Sequence, residues 1–300
     1  METISDLQKS AYLEKISELI EKFTPHDGFF KLANGSVNLS RSSKTSLEST
    51  SVLAQPSLCI VPQGAKYVEV MKSDQSFVED GASMVVYGAE VPLKLRIKEA
   101  SEEQPYYCLM IPIKPETIHR VSLKVFPDGV PKVPQTSSVF VNDSDLGILK
   151  SALHLLEVMH EESLEPLVVP LIIEEILIRL LSSPIGPRIA QMGMSNSHAV
   201  KVAKAISWIK THYAEAITTD ELASLAGMSV SSLHHHFKAI TSMSPLQFQK
   251  VLRLQAARTL IRTRGADITN ISADVGYASL SQFSREYSRE FGVAPSRDAQ

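Results

Sequence analysis

The sequence predicts an α+β chain of two domains: an N-terminal β-sandwich or barrel followed by helices, and a C-terminal all-α domain carrying two helix-turn-helix units. Three observations predict it. Residues 50 to 141 hold short β-branched and aromatic runs, "SLCIVPQGAKYVEV", "SMVVYG", "PLKLRI", "YYCLMIPI" and "SSVFV", broken by Gly, Pro, Asp and Ser, the punctuation of close-spaced strands. From Asp145 the apolar spacing becomes helical. In the last third, one supersecondary unit occurs twice. The length of 300 residues agrees with two domains, because single cores stop growing near that size.

After the strands, Leu146, Leu149, Leu153 and Leu156 define one helix. A second lies in "PLVVPLIIEEILIRLLSS", where Ile173, Ile176, Leu177 and Leu180 form a stripe that Leu171, Ile172, Ile178 and Leu181 widen. So broad a surface covers the β-domain and leaves a face for another subunit. The Pro, Gly and Ser of "SSPIGPRIAQMGMSN" predict a linker over 186–197, dividing a first domain (1–185) from a second (198–300). The second opens with a helix whose expected buried face is Ala199, Val202, Ala203, Ile206 and Ile209.

Charge divides at the same place. Residues 1 to 195 carry 18 Lys and Arg against 25 Asp and Glu, a balance of −7; residues 196 to 300 carry 12 against 8, or +4. A basic module on an acidic carrier points to a polyanionic partner. Cys59 and Cys108 are the only cysteines, too few for a disulfide framework. The sequence shows no leader peptide and no apolar run long enough to span a bilayer, so a cytoplasmic protein without membrane contact is expected.

The duplication pairs "ELASLAGMSVSSLHHHFK" with "NISADVGYASLSQFSREYS". Leu222 and Gly227 match Ile271 and Gly276, and Leu233 and Phe237 match Phe283 and Tyr287. Each copy reads as helix, glycine turn and second helix, over about 218–240 and 267–290. Gly227 and Gly276 fall where the turn needs positive φ. Thr218 with Glu221 and Ser279 with Gln282 form capping boxes, and Ser229 caps the second helix of the first copy.

His234, His235 and His236 stand in a row inside the first copy. With Leu233, Phe237 and Ile240 facing inward, a turn of about 100° per residue points His235 outward, sets His234 at the edge of the outer face and makes His236 a packing residue. Adjacent helical residues diverge too far to close on one ion, and no nucleophile accompanies them, so neither metal binding nor catalysis is expected. Ser231, His234, His235 and Lys238 are the expected DNA readers of the first copy. In the second, Leu280, Phe283 and Tyr287 are expected inside, with Ser281, Gln282, Ser284, Arg285 and Arg289 toward DNA. Arg285 can bond guanine bidentately or be held by Glu286 or Glu290. Gln282 can bond an adenine edge or spend its amide in the capping box. Between the copies, "SPLQFQKVLRLQAARTLIRTR" predicts a helix with Ser244 as cap, Val251, Leu252, Ala256 and Leu260 inward, and Lys250, Arg253, Arg258, Arg262 and Arg264 adding positive charge.

This layout resembles the AraC/XylS family of bacterial transcription regulators. The resemblance rests on "LASLAGMSVSSLHHHFKAITSMSPLQFQ", "RLQAARTLI" and "VGYASLSQFSREYSREFGVAPSR", and on "PSLCIVPQGAKYVEV", "PYYCLMIPI" and "PLIIEEILIRLLSSPIGPRIAQ" in the N-terminal part. It implies a cupin-like β-barrel followed by helices, and base contacts from Ser231, His234, His235, Ser281, Ser284 and Arg285. The implied partners are double-stranded promoter DNA, a small-molecule effector, a second copy of the chain through helices between 145 and 182, and RNA polymerase. An effector pocket is expected around Cys59, Val68, Val70, Tyr87, Tyr106 and Cys108, with Tyr67 facing the other way. Both cysteines read as buried and inert, or as thiols sensing electrophiles or oxidants. The N-terminal histidines, His26, His119, His154 and His160, include no HxH pair, so no metal, cofactor or enzymatic activity is expected. Two alternatives stay open: a cupin-type enzyme with an accessory helical domain, and a DNA-binding protein whose N-terminal domain only dimerises.

Overall fold

The computed structural model describes residues 4–133, 137–161, 163–194, 198–264 and 267–298. Two compact units divide the chain, one ending at Val200 and the other beginning at Lys201.

The first unit opens with helix α1 (Ile4–Phe23), followed by β1 (Gly28–Leu32) and β2 (Val37–Ser42). These lie upstream of the predicted strand region; β1 carries no β-branched residue and β2 only Val37. Strands β3 (Thr50–Ala54), β4 (Ser57–Gln63), β5 (Ala65–Val70), β6 (Ser76–Glu79), β7 (Ser83–Tyr87), β8 (Val91–Glu99), β9 (Tyr106–Pro112) and β10 (Val139–Asp143) complete two antiparallel sheets. One runs β1-β2-β9-β4-β7-β10 and the other β3-β8-β5-β6. This is a cupin-like jelly-roll layout. Among the described residues the sheets do not join into the continuous barrel that the resemblance implied.

Helix α2 (Pro115–Val125) interrupts the stretch expected to be all β. Pro115 starts it, and Ile118, Val121 and Ser122 repeat on its buried face, a helical period hidden among β-branched residues. Helices α3 (Leu146–Val158) and α4 (Glu165–Leu181) follow as expected, with Asp145 Oδ1 capping α3 through the Ile148 amide at 2.8 Å. The expected linker is instead helix α5 over most of its length (Gly186–Gly193). Its Ile189, Ala190 and Met192 are buried in the same core as α2 and α4, so apolar packing outweighs the Gly and Pro signal. Residues 195–197 of that linker lie outside the described residues.

The outer face of the six-stranded sheet packs under these helices, with Leu58, Ile60, Val86, Leu109 and Ile111 against Ile16, Leu149, Leu156 and Leu180. The inner faces of the two sheets enclose a second core of Cys59, Val61, Val68, Val70, Val85, Tyr87, Leu93, Tyr106 and Cys108. On α4, Ile172, Ile176, Leu177, Leu180 and Leu181 are buried, whereas Leu171 and Ile178 are exposed.

The second unit contains α6 (His198–Thr211) from Lys201 onward, then α7 (Thr219–Ala226), α8 (Val230–Thr241), α9 (Pro245–Arg264), α10 (Ile268–Asp274), α11 (Leu280–Phe291) and α12 (Pro295–Asp298). On α6, Val202, Ala205, Ile206 and Ile209 are buried and Ala203 is exposed. Among the described residues, no helix is long and apolar enough to cross a membrane.

Both helix-turn-helix glycines have positive φ, 61° at Gly227 and 88° at Gly276. Their surroundings differ. A Cβ at Gly227 would meet nothing, whereas one at Gly276 would overlap the Ala214 carbonyl. Thr218 and Glu221 form the full capping box of α7, and Ser229 caps α8.

Of the residues expected inward on α9, Val251 is buried, whereas Leu252, Ala256 and Leu260 are half-buried; Phe248, Leu254, Ala257 and Ile261 are buried in their place. It serves two partners. Phe248 meets Phe237 of α8 with ring centres 5.5 Å apart, while Leu254, Ala257 and Ile261 join Ile271, Phe283 and Tyr287. A single stripe read from spacing misses that division.

Candidate nucleic-acid interface and effector cavity

Helix α8 fixes its outward face by burying Leu233, Phe237 and Ile240. Ser231, His234, His235 and Lys238 are exposed and His236 is half-buried, its ring edge-on to His235 at 5.0 Å. On α11, Phe283 and Tyr287 are buried. Ser281, Gln282, Arg285 and Arg289 are exposed and Ser284 is half-buried. Leu280, expected inside, is 41% exposed; it begins the helix, ahead of the first turn that Phe283 anchors.

Arg285 makes no ion pair among the described residues. Of the two acids expected to hold it, Glu286 is committed elsewhere: Lys250 Nζ lies 2.7 Å from Oε1, and Tyr277 donates to Oε2 at 2.9 Å. Burial would raise the Glu286 pKa, but Lys250 and Tyr277 hold it below the usual value. Ser279 Oγ accepts from the Gln282 amide N–H at 3.4 Å, while the Gln282 side chain turns to Glu286 at 3.5 Å. That long bond leaves the side chain at the surface.

Most of the positive charge expected from α9 is engaged within the unit. Arg253 donates to the carbonyls of Tyr213 (2.6 Å), Glu215 (2.8 Å), Ala214 (3.3 Å) and Gly276 (2.8 Å), joining the loop after α6 to the second glycine turn. Arg258 and Arg262 each reach Asp298 at 2.8 Å, which also accepts from the Tyr287 hydroxyl at 2.7 Å. The Arg264 side chain lies outside the described residues. Sequence reasoning counted these cations as phosphate contacts because it could not see the carbonyls and the carboxylate that receive them.

The Asp298 clamp carries a pH signature. Burial would raise its pKa, but bonds from Arg262, Tyr287 and Arg258 hold it below its ordinary 3.8. A depressed folded-state pKa contributes stability that is full above 3.8 and lost as pH falls through the folded value. Unfolding followed by Trp208, the single tryptophan, should therefore show the second unit weakening below pH 3.8. Asp298→Asn should cost about 1.5 kcal/mol at neutral pH and flatten that acid dependence.

Between the two sheets lies a cavity of about 370 Å³. Cys59, Tyr87, Tyr106 and Cys108, four of the expected pocket residues, line it; Val68 and Val70 are buried beside it in the same core. Its walls are otherwise mostly apolar, with Leu93, Leu95, Ile97 and Met110, and Phe29 is exposed at its rim.

Among the lining residues that the sequence reading did not name, one is charged. Lys66 shares the inward face of β5 with Val68 and Val70 and pairs in register with Glu79 of β6. Its Nζ lies 2.9 Å from Glu79 Oε2, with side chains 10% and 2% exposed, and the Tyr87 hydroxyl donates to Glu79 Oε1. Burial alone would lower the ammonium pKa, yet the Glu79 carboxylate pushes it well above the ordinary value. Burial and the same carboxylate raise the Tyr87 phenol. The available signal was the strand period, which puts a lysine on a buried face.

Cys59 Sγ, Cys108 Sγ and a Glu79 oxygen lie within 4.8 Å of one another. The Cys59 thiol donates toward Cys108, raising its own pKa and lowering that of Cys108, against the effect of burial on the latter. A divalent cation at this cluster would face the Lys66 ammonium.

Comparison with known proteins agrees in both units. A family model described as an AraC-type transcriptional regulator N-terminus matches residues 35–188, and a helix-turn-helix domain model matches 222–300. The HTH-type transcriptional activator RhaS of Escherichia fergusonii is 34% identical over 90 residues, 30% of this chain and 32% of RhaS. RhaS of Escherichia coli O157:H7 is 30% identical over 105 residues, 35% of this chain and 37% of RhaS. The chain thus matches about a third of the length of these curated relatives. ToxT of Vibrio cholerae O395, bound to (E)-4-(8-methylnaphthalen-1-yl)but-3-enoic acid, shares the fold with TM-score 0.56 and 12% identity, covering 91% of this chain and 98% of ToxT. Unsaturated fatty acid-bound ToxT of strain SCE256 gives TM-score 0.54 and 12% identity, over 91% and 96%.

Proposed function

Because the chain belongs to the AraC-type transcriptional regulators, we propose that it is a non-enzymatic, sequence-specific DNA-binding regulator whose N-terminal cavity takes a small-molecule effector. The observation that carries the reading is the pair of outward helix faces, α8 and α11, each held by a buried stripe and capped at its start. Helices so presented enter the major groove of double-stranded DNA. Ser231, His234, His235, Lys238, Ser281, Gln282, Ser284, Arg285 and Arg289 are the proposed contacts. The 20 residues of α9 span about 30 Å, close to the roughly 34 Å of one DNA turn. In this reading, residues 1–185 bind effector and dimerise, and residues 198–300 bind DNA.

Arg285→Ala is expected to weaken specific DNA by about 1–3 kcal/mol while changing random-sequence binding less. Titration of both DNAs checks this; an unchanged specificity ratio removes Arg285 from base readout.

The effector reading rests on the cavity and on the ToxT fold, whose bound forms hold an unsaturated fatty acid or an aryl butenoic acid. A second copy of the chain is the proposed partner of α4. Leu164, Leu167, Leu171 and Ile178 are exposed at helical spacing on one face, Leu167 and Leu171 by 69% and 67%. Leu171→Glu is expected to raise the dimer dissociation constant at least about tenfold, or 1.4 kcal/mol, read by sedimentation. RNA polymerase is the proposed partner in transcription.

A further inference from the structure

The cavity wall holds one charged side chain among the described residues, Lys66, and its charge is already cancelled by Glu79 at 2.9 Å. The other polar groups on the wall, Asn38, Ser40, Gln55 and Ser57, are neutral, apart from the cysteines and tyrosines described above. A carboxylate entering the site would stand beside a pair that already balances, and would leave a net negative charge between the sheets. A protonated amine would add a second cation beside Lys66. Either leaves a buried charge uncompensated, at a large desolvation cost. Asn38 Oδ1 is also buried without a hydrogen-bond partner among the described residues. Asn38 and Ser40 alternate with Val37 and Leu39 on β2, so they face the cavity while the latter pack under the helices. A buried acceptor left open is satisfied by a ligand donor.

We infer that the cavity takes an uncharged, largely apolar molecule carrying a hydroxyl or similar donor, rather than a carboxylate or an amine. The inference rests on the reading of this cavity as the effector site, and it separates the chain from ToxT in ligand class while sharing its fold.

Three probes of equal chain length test it on the full-length protein at pH 8: 1-octanol, octanoate and octylamine, with binding measured by calorimetry. Octanol is expected to bind at least about tenfold more tightly than either ion. Octanoate or octylammonium binding as tightly as octanol overturns the assignment while leaving the cavity an effector site. Leu95→Trp, which fills the cavity, is expected to abolish octanol binding. Persistence of binding in that variant, or no binding of any probe to the unaltered protein, overturns the effector-cavity reading and the inference with it. Glu79→Gln leaves Lys66 without its counter-charge, so octanoate should gain at least about tenfold relative to octanol; no gain overturns the role given to the pair. Should Glu79→Gln fail to fold, the comparison on the unaltered protein decides.

Discussion

Lys66→Met is expected to destabilise the N-terminal unit by about 3–5 kcal/mol, the cost of leaving a buried carboxylate without its partner. Glu79 is 2% exposed at its side chain and keeps only the Tyr87 hydroxyl once Lys66 is gone. Removing both charges together, as Lys66→Met with Glu79→Leu, should recover most of that loss, because a desolvated pair and its apolar replacement are often close in energy. Urea unfolding followed by circular dichroism checks the cycle. If the double variant is as unstable as the single one, the damage comes from packing and not from the stranded charge.

Arg253→Met is expected to cost the C-terminal unit about 2–4 kcal/mol. Four backbone carbonyls from two separated loops share this one guanidinium. Gln249 still donates to Tyr213 and Glu215, so the loss falls on Ala214 and Gly276. Arg253→Lys should rescue little, since one ammonium cannot reproduce a planar fork reaching both loops. Trp208 fluorescence during denaturation reads the effect on the unit directly. Equal stability of the Lys variant and the unaltered chain would show that charge, not fork geometry, holds the loops.

The parts of the fold that follow from local rules were legible in the sequence. Capping at Thr218 and Ser229, and the outward direction of His234 and His235, each depend on residues within a turn or two. What depends on distant partners was not legible. The destination of Arg253 lies about forty residues away in sequence, and Asp298 receives Arg258 and Arg262 from forty and thirty-six residues away. The split face of α9 likewise reflects two neighbours, not one period. In the N-terminal unit, the resemblance implied a pocket around Cys59, Val68, Val70, Tyr87, Tyr106 and Cys108, of which Cys59, Tyr87, Tyr106 and Cys108 line the cavity. The strand period carries Lys66 to the same face as Val68 and Val70, but the counter-charge that lets it stay there became visible only with β6 alongside and Glu79 in register.

The two glycine turns descend from one repeated pattern but are no longer equally free to change. At Gly227 the requirement is dihedral alone, so an asparagine, which tolerates the left-handed region, remains an accessible substitution. At Gly276 the neighbouring Ala214 backbone denies space to any side chain. Among descendants of this chain, the first turn can drift by single steps. The second is held to one residue for as long as the loop after α6 keeps its path.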